Sequence, residues 1–112
     1  MIELPWPPSS LSGHAKGHWR TSAPIVAKHR AWAFAATRAA GLVGPEGKGD
    51  IRVCFTFYPP DRRGDRTNYP NRLKAYIDGI AEAMGVNDRR FLPSYLFAEP
   101  VKGAGKIVVV IG

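Results

Sequence analysis

"DIRVCFTFY" (residues 50–58) is the stretch that decides the fold class. Ile51, Val53, Phe55 and Phe57 alternate with Arg52, Cys54, Thr56 and Tyr58. One face of an extended chain is therefore apolar and the other mixed, the signature of a half-buried strand. Pro59 and Pro60 stop it. A strand with one apolar face needs a second layer to cover it, and the flanking segments supply helices. Upstream, the pattern predicts a helix opening near Ser22, with Pro24 in its first turn, and running toward Ala40. Ile25, His29, Trp32 and Ala36 lie along one side of it, and Gly41 is a C-cap candidate. Downstream, a second helix is predicted to start between Asn68 and Pro70 and to end at Gly85, with Leu73, Ile77, Ile80 and Met84 as its apolar stripe.

The outer segments complete the pattern. Met1–Leu4 reads as a short strand ended by Pro5, and residues 5–20 read as loop. "VNDRRFLP" (86–93) reads as a polar loop and "SYLFAE" (94–99) as a strand. "KIVVVI" (106–111) is an unbroken apolar run, as expected of a strand buried on both faces. The order strand, helix, strand, helix, strand, strand predicts an α/β (α+β) fold. It would be one domain over residues 1–112, a mixed sheet with two main helices.

Composition narrows the function. A chain of 112 residues, 45% hydrophobic, affords one core and is too short for two domains. Cys54 is the single cysteine, so no intramolecular disulfide forms, and a reducing cytoplasm is the expected compartment. Neither a leader-like apolar segment nor a membrane-length run is present, so no membrane partner is expected. The formal charge of +7 favours an anionic partner such as nucleic acid.

The basic region also holds isolated acids. "DRRGDRTNYPNRLKAYIDG" (61–79) sets Asp65 among Arg62, Arg63 and Arg66, and Asp88 stands beside Arg89 and Arg90. Carboxylates there weaken attraction to phosphate unless a cation sits on them. Each has a structural alternative: Asp65 capping a turn, Asp88 forming an Asx-turn, and Lys74 with Asp78 forming a surface i, i+4 pair. Other chemistries find less support. His14, His18 and His29 lack metal-ligand spacing. "GPEGKGD" lacks the phosphate-loop spacing. Cys54 lies mid-strand, away from any nucleophile setting. Trp19 suits base stacking or a core anchor.

The ordered set "PWPPSS", "HWR", "PPDRRGD" and "NYPNRLKAYIDGIAEAMGVNDRRF" resembles the RusA-type crossover-junction (Holliday-junction) endodeoxyribonucleases, a group common in bacteria and their prophages. The likeness lies in the order Asp, Asn, Lys-Ala-x-x-Asp-Gly, then Gly-Val-x-x-Asp, with the final apolar strand also fitting. It implies a small α/β homodimer that uses Mg²⁺ to cut four-way DNA junctions symmetrically, in recombination and repair. Asp65 and Asp88 would be catalytic metal ligands. Lys74 would stabilise charge on a phosphorane-like transition state, Asp78 would orient Lys74, and Asn68 would support the site. Lys16, Arg20, Arg62, Arg63, Arg66, Arg72, Arg89 and Arg90 would contact DNA. One departure is Thr67, where many members carry a second acid. The Asn68–Lys74 spacing is also longer than the shortest family form, and an ungapped match instead sets Asn68, Pro70 and Asn71 at the motif. The alternatives are a branched-DNA-binding protein that does not cut and a structural domain with a solvated basic surface.

Overall fold

The computed structural model describes residues 1–11 and 19–112, with the backbone alone described for residues 19–22. His14, Lys16 and His18 lie outside the described residues, as do the side chains of Trp19 and Arg20. The chain is an α+β domain built on one mixed four-stranded sheet. Its elements are β1 (Ile2–Pro5), α1 (Trp19–Ala39), β2 (Ile51–Tyr58), α2 (Lys74–Met84), β3 (Phe91–Phe97) and β4 (Lys106–Ile111), with 3₁₀ turns at Ser9–Leu11, Arg66–Arg72 and Asp88–Arg90. The strand order is β1-β4-β2-β3. β4 runs antiparallel to both β1 and β2, whereas β2 and β3 are parallel. A parallel pair requires a crossover, and α2 is that crossover.

The core forms where the alternation of β2 predicts. Ile51, Val53, Phe55 and Phe57 are buried, and so are Ile2, Leu4, Ile107 and Val109 from the neighbouring strands. Leu73, Tyr76, Ile80 and Met84 close over them, and Ala33 of α1 joins the same cluster. The Tyr76 hydroxyl donates to the Pro5 carbonyl at 2.6 Å, and burial pushes its pKa well up. His29 is a core residue whose Nδ1 lies 2.9 Å from the Ile25 carbonyl.

Four expectations are corrected. α1 begins at Trp19, ahead of Ser22, so Pro24 lies inside it. α2 begins at Lys74 rather than at residues 68–70. There the Asp65 cap opens a 3₁₀ turn that contains Pro70, which has no N–H to give an α-helix. β3 starts at Phe91, inside the segment expected to be loop. Pro93 is tolerated because β3 is the terminal strand of the sheet. Finally, β4 is not buried on both faces: Ile107 and Val109 are buried, but Val110 is 46% exposed. The helices cover one face of the sheet and leave the other open.

Candidate functional site

The motif residues fall into two groups. The first surrounds Lys74, the first residue of α2. One helical turn places Asp78 beside it, with Nζ 2.9 Å from Asp78 Oδ1. Gly85 then ends α2 in the left-handed region (φ 71°), a conformation that favours glycine. The chain reverses there, Asn87 opens a short 3₁₀ turn by accepting the Arg89 N–H at 2.9 Å, and Asp88 comes to Lys74. Nζ donates to Asp88 Oδ2 at 2.8 Å. One ammonium thus lies between two carboxylates that are ten residues apart in the chain.

These contacts perturb two groups. The Lys74 hydrogen bond holds the Asp88 carboxyl below its ordinary value of 3.8. The Asp88 and then the Asp78 hydrogen bonds push Lys74 above its ordinary 10.5. Lys74 therefore keeps its proton across the neutral range. A depressed acid stabilises the fold above its unfolded value, and that contribution is lost as pH falls through the folded one; a raised amine contributes below its unfolded value and loses it as pH rises. The difference in urea midpoint between wild type and Lys74→Met is therefore expected to stay level from about pH 5 to 9 and to shrink below about pH 4. An equal difference at acid and neutral pH would contradict the cluster.

The second group is built on Asp65. Its Oδ1 accepts the Thr67 N–H at 3.0 Å and the Thr67 hydroxyl at 2.7 Å, and its Oδ2 accepts from Asn68 Nδ2 at 3.3 Å. Asp65 is thus the cap of the 3₁₀ turn. No described contact joins it to Asp88; Asp78 is the carboxylate that shares the Lys74 ammonium with Asp88. Among the described residues, no group of three or more His, Cys, Asp or Glu side chains is arranged around a common metal position.

The arginines divide by partner. Arg90 donates to the carbonyls of Gly49 (2.9 Å) and Pro45 (3.0 Å), which pins the connector before β2 rather than facing a ligand. Arg72 donates to the Pro7 carbonyl at 3.3 Å and lies over the Tyr69 ring. Arg62 pairs with Glu99. Arg63 pairs with Asp61 at 3.3 Å while its side chain stays 91% exposed. Arg66 and Arg89 are exposed.

Surface shape follows this division. An open depression of about 420 Å³ is lined by Asp78, Glu82, Asn87 and Asp88, with Arg30 at its side. Arg30 bonds Glu82 from α1 at 2.8 Å. The two residues are 52 positions apart, so nothing in the sequence marks Arg30 as a neighbour of the site. Two adjoining clefts of about 340 and 310 Å³ share Asp61, Gly64 and Tyr69, and Asp65 and Arg66 line the larger.

No helix among the described residues is long and apolar enough to cross a membrane. No protein-family model matches the chain. A Xylella fastidiosa protein described as uncharacterized is 39% identical over 115 residues, an alignment covering 98% of this chain and 74% of that protein. Identity of that degree over nearly the whole domain means that the chain belongs to the same family as the Xylella fastidiosa protein.

Proposed function

We propose that the chain is a cytoplasmic, Mg²⁺-dependent endodeoxyribonuclease of the RusA type, a homodimer that resolves four-way DNA junctions in recombination and repair. The observation that carries this reading is the Lys74 ammonium held at 2.8 and 2.9 Å between Asp88 and Asp78, inside a basic, arginine-rich run. The residue order of that run is the one by which the chain resembles RusA-type enzymes.

The donor set suits a hard cation in one way. Asp78 and Asp88 already converge on a positive charge, and Mg²⁺ needs only one or two carboxylates, the rest of its shell being water and substrate phosphate. Asp88 with Asp78 would hold it, and Asp65 would stay a cap. Polarisation of the phosphate and acidification of a water are the chemistry that Mg²⁺ supplies when bound. Lys74, kept protonated by its neighbours, is a fixed positive charge for a phosphate oxygen and not a general base. Its side chain is 69% exposed and within reach of a DNA backbone. Asp78 limits where Nζ can stand. Arg63, Arg66 and Arg89, exposed on the same basic run, would contact neighbouring phosphates.

The test is a four-way junction and a linear duplex of equal length, each incubated with the protein in Mg²⁺ and in chelator. Symmetric nicks in the junction alone, abolished by chelator, are expected. Absence of cleavage with any divalent metal would overturn the nuclease reading.

One observation favours a second reading, a protein that binds branched DNA without cutting. Thr67, where many RusA-type members carry an acid, has a hydroxyl that donates to Asp65, so the run offers a metal one carboxylate fewer than in those members. Salt-sensitive junction binding with no nicking is the result expected under that reading.

A further inference from the structure

We propose that β3 is the dimerisation element, pairing antiparallel with β3 of a second copy about a two-fold axis at Ser94. The inference deepens the homodimer of the reading above and rests on it, but not on cleavage. β3 is a terminal strand of the sheet, and among the described residues its outer edge has no strand partner. The Ala98 N–H donates to the Phe57 carbonyl at 2.9 Å, and Phe57 stands opposite Phe97. In a parallel pair this points the backbone groups of the even-numbered β3 residues toward β2. Those of Phe91, Pro93, Tyr95 and Phe97 point outward.

The sequence of that edge is self-complementary. In "FLPSYLF", antiparallel pairing centred on Ser94 sets Phe91 against Phe97, Leu92 against Leu96 and Pro93 against Tyr95. A two-fold axis requires such matching of a surface with itself. The N–H groups of Phe91, Tyr95 and Phe97 find carbonyls across the axis. Pro93, which has no N–H, leaves only the Tyr95 carbonyl to water.

Exposure agrees with a missing partner. Tyr95 and Phe97 continue the aromatic row of Phe55 and Phe57 on the helix side, yet remain 37% and 44% exposed. On the open side, Leu92 and Leu96 are 52% and 58% exposed. Edge strands of monomers are commonly blunted by charge or brevity. β1, the other terminal strand, has four residues and ends in Pro5, whereas β3 has seven and no charged side chain. Pairing would join two sheets into one of eight strands and bring four leucines together on its open face.

The experiment combines mass and cross-linking. Light scattering on the full chain at tens of micromolar is expected to give twice 12.3 kDa. Leu96→Lys is expected to halve that mass with the far-UV circular dichroism unchanged. Opposed Ser94 residues would form a non-hydrogen-bonded pair with Cα atoms about 4.5 Å apart, within disulfide reach. Ser94→Cys is made in a Cys54→Ser background, because Cys54 is the neighbour of Ser94 on β2 and would compete for it. Mild oxidation is then expected to give a covalent dimer on a non-reducing gel; should Leu96→Lys unfold, this cross-link decides. A wild-type mass of one chain, or a dimer that survives Leu96→Lys and does not cross-link through residue 94, overturns the proposal. A cross-linked dimer without nuclease activity upholds it and removes the nuclease reading, whereas a cleaving monomer does the reverse.

Discussion

Asp88→Asn is expected to slow junction cleavage about 100- to 1,000-fold, the usual loss when one charge-stabilising group is removed from a site, while junction binding stays within about twofold. The substitution preserves the size of the side chain and removes its charge. Lys74 keeps Asp78 as a partner at 2.9 Å, so the ammonium stays near its place. What is lost is one of the two carboxylates that would hold Mg²⁺ on the proposed reading. Initial cleavage rates and junction affinity on the same preparations read the two effects separately. Asp65→Asn is the informative comparison, because Asn also caps turns well and the Asp65 oxygens are taken by Thr67 and Asn68. It is expected to cut cleavage less than Asp88→Asn. Wild-type cleavage by Asp88→Asn would remove the carboxylate from the mechanism; equal losses in both variants would mean that the metal draws Asp65 out of its cap.

Gly79→Ala is expected to destabilise the fold by about 2 kcal/mol, lowering the melting temperature by roughly 10 °C for a domain of this size. A Cβ at residue 79 would press into the Arg30 carbonyl and lie 3.0 Å from Ala33 Cβ and 3.1 Å from the Phe34 nitrogen. These atoms belong to α1, mostly to its backbone, and cannot swing aside as a side-chain tip would. Alanine gains about 1 kcal/mol in intrinsic helix propensity over glycine. Here overpacking at the crossing of α1 and α2 outweighs that gain. Gly49→Ala is the control, because an added Cβ there meets nothing within 4 Å. Thermal unfolding followed by circular dichroism checks the pair; a melting temperature unchanged in Gly79→Ala would contradict the close approach. Gly79 follows Asp78 in the segment that resembles RusA-type enzymes, and packing alone accounts for it.

The fold was legible where the signal is local. The period-two alternation of residues 51–58 names the buried face of β2 whatever lies beside it, and Leu73, Ile80 and Met84 all reach the core as their helical spacing requires. Boundaries were less legible where two local preferences compete. Between Asp65 and Leu73 the chain can continue a helix or close a 3₁₀ turn. The cap and Pro70 decide for the turn, delaying α2 to Lys74. β3 was obscured by Pro93, which disfavours a strand unless that strand lies at an edge, and edge position is a property of the assembled sheet.

The candidate site divides in the same way. Lys74 and Asp78 could be paired from the sequence because one helical turn joins them. That Asp88 and not Asp65 completes the group depends on the chain reversing at Gly85, and so on where α2 lies against the sheet. The sequence by itself determined the elements, their buried faces and the Lys74–Asp78 pair, since each follows from backbone periods of a few residues. Only the tertiary structure decided the strand order, the open face of the sheet, the role of Arg90 as an anchor and the choice of Asp88. Each of these requires residues distant in the chain to meet, and packing, not local spacing, selects which of them do.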